Sequence, residues 1–125
     1  MVNEMLSLYA VKRILLAQWR VDFRKNHLGL LGECRKAGLE PWNGDCVVFV
    51  SKCKTKLKML IADDNGLWIH YKHFSKGTMA TKLAFLDFPT SSSLSQADLA
   101  MLIDGNGYTV TNRKQKWKPS HLDNN

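Results

Sequence analysis

Lys56-Leu57-Lys58-Met59-Leu60-Ile61-Ala62-Asp63-Asp64-Asn65-Gly66-Leu67-Trp68-Ile69-His70-Tyr71-Lys72-His73-Phe74 reads as two strands joined by a turn. Asn-Gly between two strand-like runs is a strong hairpin signal, because a type I′ turn needs positive φ at both central positions. A two-residue loop fixes the expected register: Asp64 faces Leu67, Ala62 faces Ile69, Leu60 faces Tyr71 and Lys58 faces His73. One face of the hairpin then carries Lys56, Lys58, Leu60, Ile69, Tyr71 and His73. The other carries Leu57, Met59, Ile61, Trp68 and Phe74 and is assigned to the core.

Immediately upstream, lysines stand at every second position from Lys52 to Lys58. If this run is extended, Lys52, Lys54, Lys56 and Lys58 share one side, where like charges need water, salt or an anionic partner to screen them. A polyanion is one reading. A solvated edge strand, kept from aggregating by its lysines, is the other.

Further upstream, Cys46-Val47-Val48-Phe49-Val50 is continuously apolar, as a central strand would be. Ile14 to Ala17 suits another strand. Between them a helix is expected from Asp22 onward, with Leu28, Leu31, Cys34 and Ala37 on its buried face, Gly38 at its end and Pro41 barring continuation. Downstream, Leu83 to Phe88 reads as a strand ending at Pro89, and Ser91-Ser92-Ser93 as a linker. A second helix follows: Ser95 and Asp98 form a capping box, Leu94 and Leu99 a hydrophobic staple, and Leu99, Leu102 and Ile103 a buried stripe that Gly105 ends. The fold class is α+β, a single domain over residues 1–106, with a small, mostly antiparallel sheet and two short helices on one face. Residues 107–125 have charge without apolar periodicity and read as a loose basic tail, with Arg113, Lys114, Lys116 and Lys118 around Trp117.

Charge points to the partner class. Eighteen Lys and Arg against eleven Asp and Glu give a net charge of +7, which favours nucleic acid or another anionic surface. Three cysteines without a C-x-x-C pair argue against a disulfide framework and fit a reduced, cytoplasmic protein. No apolar run approaches a membrane span, and the N-terminus lacks the pattern of a signal peptide.

Enzymatic readings are weak. Asp63 and Asp64 are adjacent acids, but they flank a turn, where Asp serves its own hydrogen bonding. His70 and His73 point to opposite faces, and Cys34, Cys46 and Cys53 read as buried small hydrophobes rather than ligands. No catalytic residue, metal or cofactor is expected. A helix-turn-helix reader is disfavoured too, since the better helix carries Asp98 and Asp104 and no cation. Any DNA contact should come from the sheet, its loops and the tail, where Trp117 could stack on a base.

Four blocks carry a family resemblance: Val21-Asp22-Phe23-Arg24-Lys25, Glu40-Pro41-Trp42-Asn43-Gly44, Asn65-Gly66-Leu67-Trp68-Ile69-His70-Tyr71-Lys72, and Leu94 to Gly105. In order and spacing they resemble the small accessory protein, TnpB, of IS-sixty-six-type bacterial insertion sequences, over about residues 13 to 119. The resemblance implies a non-enzymatic role in transposition beside a separate transposase that carries the catalytic carboxylates. Carried over residue by residue, it matches Asp22, Arg24, Lys25, Pro41, Gly44, Lys52, Lys54, Lys58 and Lys72. It also implies that the lysines sit in a hairpin loop between Val50 and Lys56 rather than along one strand. The expected DNA-binding set is therefore Arg24, Lys25, Lys52, Lys54, Lys56, Lys58, Lys72, Arg113, Lys114, Lys116, Trp117 and Lys118. The leading expectation is electrostatic DNA binding beside the transposase. The alternatives are a protein adaptor that contacts the transposase without touching DNA, and a former transposon protein reused by its host.

Overall fold

A computed structural model describes residues 10–79 and 83–105. Residues 1–9, 80–82 and 106–125 lie outside them, and with them the expected basic tail.

Among the described residues the elements run β1 (Arg13–Ala17), α1 (His27–Lys36), a 3₁₀ turn (Pro41–Asn43), β2 (Asp45–Val50), β3 (Lys56–Ala62), β4 (Leu67–His73), β5 (Ser91–Leu94) and α2 (Gln96–Asp104). The strands form one sheet in the order β4-β3-β2-β1-β5. Only β1 and β2 pair in parallel, so the sheet is mostly antiparallel and the domain is α+β as expected. The parallel pair needs a crossover, and α1 supplies it.

Both faces of the sheet are covered. On one, Leu57, Met59, Ile61, Val48 and Ile14 pack with Leu99 and Leu102 of α2. On the other, Leu15, Val47, Phe49 and Leu60 pack with Leu30, Leu31 and Cys34 of α1. The two helices therefore do not share a face. β2 sits centrally and is buried at all six positions, which is why its sequence does not alternate.

The hairpin register differs from expectation. Ala62 pairs with Leu67, Leu60 with Ile69, Lys58 with Tyr71 and Lys56 with His73. The loop is Asp63 to Gly66, closed by Asp63 N–H donating to the Gly66 carbonyl at 3.0 Å. The Asp63 carboxylate accepts from Asn65 N–H at 3.1 Å and from Trp68 Nε1 at 2.8 Å. Those bonds favour the wider loop over a two-residue turn. The slip is two residues, so every side chain keeps its expected face.

Three further expectations are corrected. Leu28 is 78% exposed, and α1 buries Leu30, Leu31, Glu33 and Cys34 instead. Glu33 is turned inward because it accepts hydrogen bonds from Trp19, Lys25 and Lys36. The Leu83 to Phe88 stretch makes only an isolated bridge, Leu86 to Trp19. The serine linker is in fact β5, antiparallel to β1 from Ile14↔Leu94 to Ala17↔Ser91. An edge strand needs backbone bonds on one side and little side-chain volume, so serines suffice there.

The capping box of α2 is formed: Ser95 Oγ accepts from Asp98 N–H at 3.0 Å, and the Asp98 carboxylate accepts from Ser95 N–H at 3.1 Å. Ser95→Ala should cost about 1 kcal/mol. Chemical denaturation should show it as a lower midpoint at unchanged slope; an unaltered midpoint would mean that Leu99 and Leu102 alone hold the helix. At the far end Gly105 has φ 83°, and a Cβ there would lie 2.3 Å from the Phe74 ring, so only glycine fits.

Candidate nucleic-acid interface

Sheet topology decides where the cations gather. β1 and β2 are parallel, β3 runs back from the end of β2, and β4 returns. The ends of β1, β2 and β4 and the start of β3 therefore lie at one end of the sheet. The β2–β3 tip (residues 51–55), the loop after β1 (residues 18–26) and the segment after β4 (residues 74–79) all emerge there. Arg20, Arg24, Lys25, Lys52, Lys54, Lys56 and Lys76 belong to these loops and strand ends. At the opposite end two cations have acidic partners, Arg13 with Asp45 at 2.6 Å and Arg35 with Glu40 at 2.9 Å.

The tip is a tight turn rather than a continued strand, as the family resemblance implied. Ser51 N–H donates to the Lys56 carbonyl, and Ser51 Oγ accepts from Thr55 and Lys56 N–H at 3.3 and 3.0 Å. From the flank, Phe74 N–H donates to the Thr55 carbonyl at 2.7 Å and Met79 N–H to the Lys54 carbonyl at 2.9 Å. Lys54 itself has φ 63°. A side chain in that left-handed region costs roughly 1–2 kcal/mol that glycine would avoid. Lys52 is exposed and Lys56 half-buried, and among the described residues neither ammonium has an acidic partner. Cys53 is exposed here rather than buried, and hydrogen bonds from Thr55 and Ser51 pull its thiol down to about 7. Cys34 and Cys46 are buried as expected, and burial pushes both thiols up to about 12.

Two of the expected cations are engaged within the fold. Lys58 is only 6% exposed. Its Nζ donates to the Phe23 and Lys25 carbonyls at 2.6 and 2.9 Å, and lies 5.3 Å from the Phe23 ring and 5.4 Å from the Tyr71 ring. Burial pushes its pKa below the usual lysine value, with Asp22 pulling the other way. This ammonium cannot meet a phosphate; it clamps the loop carrying Arg24 and Lys25 onto the sheet. Lys72 donates to the Ile103 carbonyl in the last turn of α2 at 2.6 Å and sits 4.4 Å over the Phe74 ring. A cation at a helix C-terminus satisfies an orphan carbonyl there.

The clamped loop presents its own cations differently. Arg24 is exposed, but Asp22 holds its guanidinium with contacts of 2.8 to 3.2 Å. Side-chain and then backbone hydrogen bonds from Arg24 hold the Asp22 carboxyl down to about 2. Lys25 pairs with Glu33 at 2.6 Å. Both keep a fixed position at the cost of partial neutralisation. Of the expected set, the structure thus gathers Arg24, Lys25, Lys52, Lys54 and Lys56 on the loops and strand ends of this end, while Lys58 and Lys72 bond to backbone carbonyls. Arg113, Lys114, Lys116, Trp117 and Lys118 lie outside the described residues. The chain leaves α2 through Gly105 beside Phe74 and Thr78, at this same end. Sequence reading left out Arg20, Lys76 and Tyr71. Tyr71 had a legible signal, since its parity put it on the lysine face.

Among the described residues no group of three or more His, Cys, Asp and Glu side chains is placed to hold a metal ion. No helix among them is long and apolar enough to cross a membrane. Asp63 is engaged as a turn residue, as its sequence context implied, and Asp64 is exposed beside it.

Fold and site define a class: a small α+β domain with cations collected on the loops at one sheet end. The chain belongs to the IS66 Orf2-like protein family, which it matches over residues 12–114. That span takes in every described strand and helix. Membership makes it an accessory protein of insertion-sequence transposition. No curated protein and no solved structure matches it.

Proposed function

We infer that the domain binds DNA electrostatically through the basic end of its sheet, beside a separate transposase. The observation that carries this reading is the rigid tip, where Lys52, Lys54 and Lys56 occupy a hydrogen-bonded turn and Lys54 holds a backbone conformation suited to glycine. Residues of that kind in strained turns concentrate at functional sites. Phosphate contacts from such loops position a protein without reading sequence, so binding should be non-specific.

The test is a titration of duplex DNA at several salt concentrations. Each neutralised phosphate releases condensed counterions, so log affinity should fall linearly with log salt. Changing Lys52, Lys54 and Lys56 together to glutamine should flatten that slope by roughly 2–3 and weaken all sequences alike. Lys58 stays unchanged in this variant because it holds the fold. Binding that ignores both salt and the three lysines would refute the reading.

One observation favours a second reading, a protein adaptor. Trp42 and Trp68 are 45% and 49% exposed at the end opposite the tip. Both indole N–H groups are already bound to Asp63, one by its carbonyl and one by its carboxylate. Trp68 stacks on His70 at 6.3 Å between ring centroids, yet about half of each indole still meets solvent, and tryptophan is enriched among residues that anchor protein interfaces. Negligible DNA affinity at low salt, with a transposase fragment still co-purifying and lost on Trp68→Ala, would establish it.

A further inference from the structure

We propose that the face of β3 and β4 at the basic end is a platform for unpaired nucleotides, on which a base stacks against Tyr71 while Lys52 and Lys56 hold the neighbouring phosphates. This rests on the electrostatic reading above and adds which form of DNA the surface selects.

Tyr71 is 54% exposed on a sheet face, where a free ring of that size would ordinarily be covered. Its cross-strand partner is Lys58, and His73 and Lys56 form the next pair along the same face. Aromatic Tyr71 and exposed His73 thus stand two residues apart on one strand, about 6.6 Å. That is close to two base-stacking steps. The cations lie on the adjoining strand and its tip, so a strand of nucleotides laid along the face meets rings on one side and ammonium groups on the other. Single-stranded nucleic acid is held in just this way, by aromatic stacking beside a cationic track. Tyr71 is also pre-positioned: the Lys58 ammonium lies 5.4 Å from its ring while being fixed to the Phe23 and Lys25 carbonyls. A duplex keeps its bases stacked on one another and gains nothing from this ring. An unpaired base gains a full face. The positive surroundings disfavour a basic protein segment as the occupant.

The experiment measures affinities of the full chain for a fluorescein-labelled oligothymidylate and for a mixed-sequence duplex of equal phosphate number. Tyr71→Leu keeps apolar bulk beside Lys58 but removes the stacking face. It should weaken oligothymidylate binding by roughly five- to a hundredfold and leave duplex binding within about twofold. Tyr71→Phe should restore the single-strand affinity. An oligomer carrying bromodeoxyuridine should crosslink under ultraviolet light to the Leu67–His73 peptide in wild type, and not in Tyr71→Leu. Unchanged oligothymidylate affinity in Tyr71→Leu, or equal losses on both DNA forms without a crosslink, overturns the platform while leaving electrostatic binding intact. Failure of wild type to bind either form in a salt-dependent way removes the underlying reading, and the platform with it.

Discussion

Replacing Lys58 by methionine is expected to destabilise the domain by about 2–4 kcal/mol, a fall of roughly 8–16 °C in melting temperature. Two effects oppose each other at this position. Keeping an ammonium group out of water is unfavourable, and methionine relieves that. Against it, the Phe23 and Lys25 carbonyls, on half-buried residues, lose their donor at 2.6 and 2.9 Å. Each unsatisfied carbonyl costs about 1–3 kcal/mol, and the cation–π contacts with Phe23 and Tyr71 go as well. Methionine keeps most of the stem's volume, so the loss of polar bonds decides the sign. The loop at residues 22–26 should then detach, and trypsin should cut after Arg24 and Lys25 faster than in wild type. An unchanged melting temperature with unchanged cleavage would show that the clamp contributes nothing.

Acid should expose the second large contribution, from Glu33. This carboxylate is 6% exposed. Oε1 accepts from Trp19 Nε1 at 2.9 Å, and Oε2 accepts from Lys25 and Lys36 Nζ at 2.6 and 3.0 Å. Desolvation pushes its pKa upward, but the hydrogen bonds from Lys25, Trp19 and Lys36 win and hold it at about 2, against an ordinary 4.5. A folded-state pKa below the unfolded value means stabilisation that is complete above about pH 4.5 and lost as pH falls through about 2. The gap is worth about 3 kcal/mol at neutral pH. Glu33→Gln should therefore destabilise the protein by a similar amount at pH 7. Its stability between pH 4.5 and 2 should also fall less steeply than that of wild type. Parallel pH profiles for the two proteins would assign the acid sensitivity to other carboxylates, Asp45 first among them.

How far the sequence reveals this molecule follows from what each residue responds to. Val47 to Val50 and the Ser95–Asp98 cap are dictated by neighbours in the chain, and they were legible. The helix of residues 27–36 was legible, but it was expected to start at Asp22, within what is the loop of residues 18–26, and it was rotated wrongly, because hydrophobic spacing ranks Leu28 above Glu33. Only the distant Trp19 and Lys25 make Glu33 an inward residue. β5 was unreadable, since three serines have no strand propensity and owe their conformation to the edge of β1. At the site, the concentration of lysine was visible, and the family pattern placed it on a turn. The partners of Lys58 and Lys72 were not visible for one reason: charge is a property of the residue, while burial and a carbonyl partner are properties of the fold.

The pairing of β5 with β1 has a consequence for how the protein is made. Ile14 pairs with Leu94, so this edge cannot close until nearly all of the described chain has been synthesised. β2, β3 and β4 are joined by short local turns, and contacts of that kind form quickly. At about 5–20 residues per second, Leu94 follows Ile14 out of the ribosome by roughly 4–16 s. Throughout that interval Ile14, Leu15 and Leu16 have an open strand edge, and the capped helix that completes one core is not yet present. The late arrival of Ser91 to Asp104 should therefore be the commitment step in folding. Nascent chains truncated before Ser91 should remain bound to chaperones, while those extending past Gly105 should be released.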